Sequence, residues 1–225
     1  MGSEIPIEYK KGYTKFLNCK IDLRNRIFIP RIETEFWVKT ALKELEKIEA
    51  RPLFFLDMFA GSGCIGIAIL KNIKNSQIDF VDIDKRAIEQ IKINLKINEI
   101  PKSRYRIYYS NLFKKLENKK LENKKYDYIF ANPPYVAKER IKEVESSVLE
   151  YEPKKALLAG KKGLFYIRKF LKEAKRHLGQ RGIIYLEIDP QQKAEIKDIL
   201  KREGYKSFRF FKDQFKKYRW VRIKH

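Results

Sequence analysis

The amino-acid sequence predicts an α/β fold with a mostly parallel β-sheet, on three observations. Short apolar runs that are typical of buried strands alternate with segments of helical periodicity. A glycine-rich segment, residues 57–66, follows one such strand and leads into a helix. The segment Asn132-Pro133-Pro134-Tyr135 ends another strand. We name these segments the glycine loop and the proline loop; both follow strand ends, where open α/β sheets bind ligands.

The first 35 residues are predicted to form an N-terminal β-hairpin arm and linker, and residues 36–225 the main domain. Residues 1–29 alternate short apolar and polar runs, with Gly12 and Asn25 as turn signals. Residues 30–35 then lead into a helix, with Thr34 as a candidate N-cap. The apolar face of this helix comprises Trp37, Val38, Ala41, Leu42 and Leu45.

Strands and helices alternate through the rest of the chain. Buried strands are predicted at residues 53–56, 78–83, 104–109, 126–131 and 182–188, and helices at 64–71, 85–98, 164–178 and 191–202. This alternation implies right-handed crossovers and a sheet covered on both faces. Two strands, 205–211 and 219–223, follow with a short link between them, which predicts an antiparallel C-terminal edge.

Length and composition exclude several classes of protein. The chain has 225 residues, 44% of them hydrophobic and 36% charged, which fits one folded domain and excludes a disordered chain. The longest apolar runs, 53–56 and 64–70, are far shorter than the ~20 residues of a membrane span. Two lone cysteines, Cys19 and Cys64, form neither a disulfide framework nor a metal knuckle. We therefore expect a cytoplasmic protein with no membrane or metal site.

The chain is strongly basic. Its 51 Lys and Arg against 29 Asp and Glu give a formal net charge of +22, which favours polyanionic partners such as RNA or the ribosome. The lysines are spread rather than gathered into a stripe, so compositional drift stays open as an alternative. A duplicated Lys-Lys-Leu-Glu-Asn segment at 114–123 predicts a solvated loop or short surface helix.

The glycine loop spells G-x-G-x-x-G through Gly61, Gly63 and Gly66, and Asp82 follows Gly61 by 21 residues at the end of the next strand. This spacing suits a dinucleotide, with Asp82 bound to ribose hydroxyls. It equally suits S-adenosylmethionine, which has a ribose and adenine but no phosphate. Asp57 would repel a pyrophosphate yet suits an amino group or a sulfonium, which mildly favours the methyl donor.

The proline loop decides between these ligands, because its groups suit methylation of a planar nitrogen. The lone pair of an amide or aromatic amine is delocalised and attacks a methyl group poorly. The carboxamide oxygen of Asn132 and the carbonyl of Pro133 can accept the two N–H groups, fix the nitrogen and stabilise developing positive charge. Pro134 keeps the segment extended, and the ring of Tyr135 can stack on the planar group.

With these motifs the sequence resembles the HemK/PrmC family, the peptide chain release factor glutamine methyltransferases. The resemblance runs from Pro6 to the C-terminus, but not to the family's N-terminal helical domain. The proline loop alone is shared with adenine-N6 methyltransferases. Two elements narrow the resemblance to this family: Pro-Arg-Ile-Glu-Thr-Glu, within residues 28–35, and Tyr-Glu-Pro (151–153). Gly-Leu-Phe-Tyr (163–166) is a further piece of the resemblance.

The resemblance implies a Rossmann-like class I S-adenosylmethionine-dependent methyltransferase. The donor site that it implies comprises Phe59, Ala60, Gly61, Ser62, Gly63, Asp82, Asn111, Leu112 and Asn132, with Leu112 beside the adenine. The acceptor glutamine would meet Asn132, Pro133, Pro134 and Tyr135. Two positions depart from the family: Phe59 replaces the first glycine of the loop, and Asn111 replaces an acidic residue.

The function that we expect is methylation of the side-chain nitrogen of a glutamine in a translation protein. The resemblance implies the Gly-Gly-Gln loop of a peptide chain release factor as the acceptor. Three alternatives stay open: an adenine-N6 methyltransferase of RNA or DNA, a ribosomal-protein glutamine methyltransferase, and a donor-binding module without activity.

Overall fold

A mixed β-sheet lies at the centre of the protein in this computed structural model, which describes residues 3–45, 51–117 and 124–224. In these ranges seven strands pair in the order β5-β4-β3-β6-β7-β9-β8. They are β3 (Leu53–Met58), β4 (Ser76–Asp82), β5 (Tyr105–Tyr109), β6 (Tyr126–Ala131), β7 (Leu178–Glu187), β8 (Ser207–Lys212) and β9 (Tyr218–Lys224).

The direction of the strands confirms the predicted sheet. Strands β3 to β7 run parallel, while β9 pairs antiparallel with both β7 and β8. The C-terminal strand thus inserts next to β7, and β8 forms the edge. The chain leaves β3 toward β4 and β5 and later returns to β6 on the other side of β3. This change of direction opens a crevice at the carboxyl end of β3, where such sheets bind ligands.

Helices cover both faces of the sheet. They are α2 (Ile32–Leu45), α3 (Cys64–Asn72), α4 (Lys85–Ile97), α7 (Phe165–Ala174) and α8 (Lys193–Arg202). Two short helices, α5 (Ser146–Tyr151) and α6 (Lys154–Leu157), lie in the connection between β6 and α7. Neighbouring strand residues face opposite sides, so Phe55 joins an apolar cluster with α2, α3 and α4 while Leu56 joins a second one with α7 and α8. None of the helices in the described ranges is long and apolar enough to cross a membrane.

The N-terminal segment contains the predicted hairpin, formed by β1 (Tyr13–Phe16) and β2 (Cys19–Asp22). A short helix, α1 (Ile7–Lys11), precedes it and was not predicted. Phe16 and Ile21 are buried in the first apolar cluster, and the side-chain oxygen of Asn94 on α4 accepts the backbone N–H of Asp22 at 2.8 Å. The domain boundary at residue 35 stays a prediction.

Two local expectations are wrong. Helix α2 begins at Ile32, so Thr34 lies in its first turn and is no N-cap. The helix predicted to end at residue 178 ends at Ala174, and β7 starts at Leu178 because that residue pairs with Tyr126 before a bulge shifts the register. In the described part of the duplicated segment Lys114, Lys115 and Glu117 are exposed, as predicted, while Leu116 is buried in the second cluster. Residues 118–123 of that segment lie outside the described residues.

Candidate active site

A cavity of about 600 Å³ opens at the carboxyl ends of β3, β4 and β6. Its volume falls in the range of roughly 300–1,000 Å³ of small-molecule and cofactor sites. The glycine loop and the proline loop both line it. The predicted site residues in its wall are Phe59, Ala60, Gly61, Ser62, Asp82, Asn132, Pro133, Pro134 and Tyr135. The structure therefore brings the two loops together although about 70 residues separate them.

The three glycines of the motif meet different constraints. Gly61 has a φ of 53°, and a Cβ atom added there would have the Phe59 carbonyl oxygen, at 4.0 Å, as its nearest contact, so this residue faces open space. A Cβ atom on Gly66 would lie 2.2 Å from the ring of Phe80, so this glycine permits close packing of α3 on β4. Gly63 packs against Ile91 of α4 and is not among the described wall residues.

Asp82 presents a fixed carboxylate to the cavity. One oxygen accepts the backbone N–H of Gly61 at 2.8 Å, and the other accepts that of Asp84 at 2.8 Å. Desolvation raises the pKa of Asp82 above its ordinary value, while these two N–H bonds oppose the rise. Each oxygen keeps a lone pair for a further donor, so the group is placed to bind hydroxyls.

Contrary to the prediction, Asp57 is not among the described residues that line the cavity. It is 1% exposed and lies at the end of β3, beneath Gly61 to Gly66, where one oxygen accepts the backbone N–H of Gly66 at 2.9 Å. The other oxygen has no hydrogen-bond partner among the described residues. Burial raises the pKa of Asp57 well above its ordinary value. In this structure Asp57 supports the loop and the start of α3 from below.

Asn111 and Leu112 also lie outside the cavity wall formed by the described residues. Asn111 is exposed, and Leu112 is buried in the second apolar cluster with a φ of 50°. Phe59, in contrast, lines the cavity with a φ of 61°, and its ring packs edge-on against Tyr166 and Phe170 at centroid distances of 6.2 and 6.0 Å. The backbone at this position is thus the one that favours glycine, although a phenylalanine occupies it.

A buried hydrogen-bond network lies behind Asn132. Its side-chain amide donates to the hydroxyl oxygen of Thr34 at 3.4 Å, and that hydroxyl donates to Glu187 Oε2 at 2.7 Å. Trp37 Nε1 donates to the same oxygen at 2.7 Å, and the Tyr135 hydroxyl lies 3.4 Å from Glu187 Oε1. Burial raises the pKa of Glu187, opposed by the Trp37 and Thr34 bonds. Neither Thr34 nor Glu187 was predicted as a site residue.

The backbone of the proline loop is held from the turn before α8 and from the turn before α7. Gln192 Nε2 donates to the carbonyl oxygen of Tyr135 at 3.0 Å and to that of Lys162 at 2.9 Å. A Cβ atom on Gly163 would lie 1.9 Å from the Tyr135 carbonyl oxygen, so only glycine fits there. Gly163 belongs to a motif that the sequence singled out, whereas nothing in the local pattern marks Gln192.

The two motifs that narrow the resemblance meet beside the cavity. Arg31 forms an ion pair with Glu152, whose other oxygen accepts the backbone N–H of Ile29 at 3.2 Å. Glu152 is only 4% exposed; burial raises its pKa, and the Arg31 charge opposes the rise. Pro153 and Arg31 both line the cavity. The pair therefore ties the segment before α2 to the segment before α6 at the cavity rim.

Comparison with known proteins identifies the family. Residues 34–207 match the model of the family described as conserved hypothetical protein 95. The chain is 31% identical to a release factor glutamine methyltransferase of Flavobacterium psychrophilum over 220 residues, 97% of this chain and 75% of the relative. It is 32% identical to one of Thermodesulfovibrio yellowstonii over 208 residues, 92% and 72% of the two chains. The chain belongs to the release factor glutamine methyltransferase family.

Solved structures confirm the fold class. The hMettl16 catalytic domain in complex with a MAT2A 3'UTR hairpin has a TM-score of 0.69 at 16% identity, over 92% of this chain and 75% of that one. A methyltransferase from Pyrococcus furiosus has a TM-score of 0.57 at 18% identity, over 88% and 87%. Together with family membership, this confirms the predicted class I methyltransferase and its cofactor, S-adenosylmethionine, against the dinucleotide alternative.

Proposed function

We propose that this member of the family transfers a methyl group to the side-chain nitrogen of the glutamine in the Gly-Gly-Gln loop of a peptide chain release factor. The observation that carries the proposal is the shared cavity, because the proline loop lines the same space as Gly61 and Asp82. The names of the relatives support the acceptor. Release factors act in translation, so we also propose a cytoplasmic location.

The donor half of the cavity fits S-adenosylmethionine, which supplies an activated methyl group on a sulfonium. The open side of Gly61 leaves room for close approach of the ligand to the loop. The two oxygens of Asp82 are fixed by backbone N–H groups and can each accept one ribose hydroxyl. This proposed donor site does not include Asp57, Gly63, Asn111 and Leu112, because none of them is among the described residues that line the cavity.

The acceptor half holds a planar amide in one orientation. The carboxamide oxygen of Asn132 and the carbonyl oxygen of Pro133 accept the two N–H groups of the glutamine side chain. These acceptors place negative dipoles where positive charge develops on the nitrogen, and they aim its lone pair toward the donor. Tyr135 lies beside them and offers its ring to the amide plane. No strong base is required, since the proton leaves after transfer.

The basic surface supports a further contact with ribosome or RNA, which we propose as an aid to encounter rather than as the acceptor site. A net charge of +22 raises the association rate with polyanions. The proline loop also suits an adenine amino group, so methylation of RNA or DNA is the competing function. RNA binding that weakens steeply with salt, without methyl transfer to the RNA, would support a contact that aids encounter over methylation of RNA.

The test is methyl transfer to separate candidate acceptors. Purified protein and S-adenosylmethionine are incubated with a release factor, with ribosomal proteins and with RNA. We expect mass spectrometry to find one added methyl group on the glutamine of the Gly-Gly-Gln loop, and none when that glutamine is replaced by alanine. Labelling of RNA or of a ribosomal protein without labelling of the release factor contradicts the proposed acceptor.

A variant of Asn132 tests the chemistry. Asn132→Ala should lower turnover by at least ~100-fold, comparable to losing one oxyanion-type contact, while donor affinity falls less than turnover because the main donor contacts lie at the glycine loop. Asn72→Ala is the matched control, because within the described ranges the Asn72 side chain bonds to its own helix alone, at the Ala68 carbonyl oxygen, and does not line the cavity. Near-normal turnover of a folded Asn132→Ala protein contradicts the proposed role of this residue.

A further inference from the structure

We propose that Thr34 and Glu187 are positioning residues that orient the carboxamide of Asn132, with its oxygen turned toward the acceptor nitrogen. This inference rests on the proposed transfer to an amide nitrogen and adds two residues of the cavity wall that act through Asn132. Thr34 lies in the first turn of α2 and Glu187 ends β7, so two separate elements converge behind the proline loop.

Glu187 fixes the direction of the O–H bond of Thr34. Glu187 is 1% exposed, and its Oε2 accepts the Trp37 Nε1–H and the Thr34 O–H, each at 2.7 Å. An indole N–H can only donate, so this oxygen is held as an acceptor. The carboxylate therefore accepts the hydrogen bond of the Thr34 O–H, and only the lone pairs of that hydroxyl remain for other neighbours.

The Thr34 hydroxyl in turn distinguishes the two ends of the Asn132 amide. A hydroxyl whose proton is committed can accept from the amino group of Asn132, which lies 3.4 Å away, but cannot donate to its oxygen. If the amide were flipped, its oxygen would face the lone pairs of Thr34 and, behind them, the charge of Glu187. The amino group is thus retained at Thr34, and the oxygen is presented to the cavity.

This orientation matters because the acceptor side chain has two N–H groups to be bound. An Asn132 amide with its amino group in the cavity would repel those N–H groups and would place a positive dipole where positive charge develops. The alternative is that Thr34 and Glu187 only attach α2 to the sheet, in which case their loss lowers stability without changing the orientation of Asn132.

The experiment separates these two roles with substitutions of one side chain. Thr34→Val keeps the shape and removes the hydroxyl, while Thr34→Ser keeps the hydroxyl. Glu187→Gln removes the charge at constant size. Thr40→Val is the matched control on the same helix, because the Thr40 hydroxyl bonds to the carbonyl oxygen of Phe36 and lies away from the cavity. If melting shows that Thr34→Val is unfolded, Thr34→Ala, which adds no bulk, replaces it with the same expectations.

One readout needs no acceptor. In protein labelled with 15N-asparagine, the side-chain signals of Asn132 are identified as those missing from Asn132→Asp. We expect Thr34→Val to shift these signals and to speed their exchange with water, while Thr34→Ser and Thr40→Val leave them close to wild type. Unchanged Asn132 signals in folded Thr34→Val overturn the inference, whichever acceptor the enzyme uses.

The second readout is turnover with the release factor. Thr34→Val and Glu187→Gln should lower kcat by about 10- to 100-fold, as for other groups that orient a functional side chain, with donor affinity unchanged. Thr34→Ser should restore most of the rate. If Thr34→Val or Glu187→Gln has the kcat of the wild type, the residue replaced in that variant has no positioning role. Absence of methylation by the wild-type protein instead contradicts the proposed function, and the Asn132 signals still decide the orientation.

Discussion

Phe59 provides a sharp test of how this glycine loop is stabilised, because its backbone and its side chain have opposite effects. Its φ of 61° lies in the left-handed region, which costs a residue with a Cβ atom roughly 1–2 kcal/mol. Its ring, half-buried between Tyr166 and Phe170, returns that energy through two edge-to-face contacts. Such contacts are worth about 0.5–1.5 kcal/mol each beyond the area that they bury.

These terms predict the stabilities of two variants. Phe59→Ala loses both ring contacts and keeps the backbone strain, so we expect it to lower the free energy of unfolding by about 2–4 kcal/mol. Phe59→Gly loses the same contacts but relieves the strain. It should therefore be more stable than Phe59→Ala by about 1 kcal/mol, once the greater freedom of unfolded glycine is counted.

Urea unfolding of the wild type and of both variants measures this order, with equal m-values as the condition for comparing midpoints. Lys172, exposed within α7, is the control position with ordinary helical backbone. There the order should reverse, with Lys172→Ala more stable than Lys172→Gly by about 1 kcal/mol. An alanine variant of Phe59 that equals or exceeds the glycine variant in stability would refute the strain argument.

Three further predictions concern packing and pH. Gly66→Ala should lower the free energy of unfolding by about 1–3 kcal/mol, because its Cβ would meet the Phe80 ring at 2.2 Å; a smaller loss in urea unfolding contradicts this. Gly163→Ala should abolish methyl transfer but retain donor binding in calorimetry, since its Cβ would displace the Tyr135 carbonyl; normal transfer contradicts this. Burial lowers the pKa of His177 to about 4, so the unfolded chain binds a proton more readily than the folded protein does. The free energy of unfolding should therefore fall by up to about 3 kcal/mol as the pH drops from about 6.5 to 4. His177→Phe should lack this fall, and a variant with the same pH profile as the wild type contradicts the assignment.

The sequence predicted the sheet well because its pattern is local. Strand residues such as Phe55 and Leu56 are both apolar and face opposite sides, which is the signal of a strand covered twice. The start of β7 was missed because Leu178 is followed by Gly179 and polar residues, which carry no strand pattern. Only its pairing with Tyr126 makes this segment a strand.

In the candidate site, too, the residues that a local pattern marks were predicted and those that depend on distant contacts were not. Gly61 and the proline loop were predicted because their function depends on the local backbone and on side chains next to each other in sequence. The motif could not show that Gly66 packs on Phe80 while Gly61 faces the cavity, since both appear as the same letter. For the same reason Asp57 was predicted to contact the ligand: its position at a strand end is visible, but the N–H group of Gly66 that holds it beneath the loop is not.

Thr34 shows why the remaining residues need the structure. A threonine near the start of an amphipathic helix is typical of an N-cap, and Thr34 was predicted to be one. Its hydroxyl instead bonds to Glu187, 153 residues away, and accepts from Asn132, 98 residues away. No local pattern encodes a contact between three elements. An orienting residue is defined by what it touches, so it can be inferred only once the fold has brought its partners together.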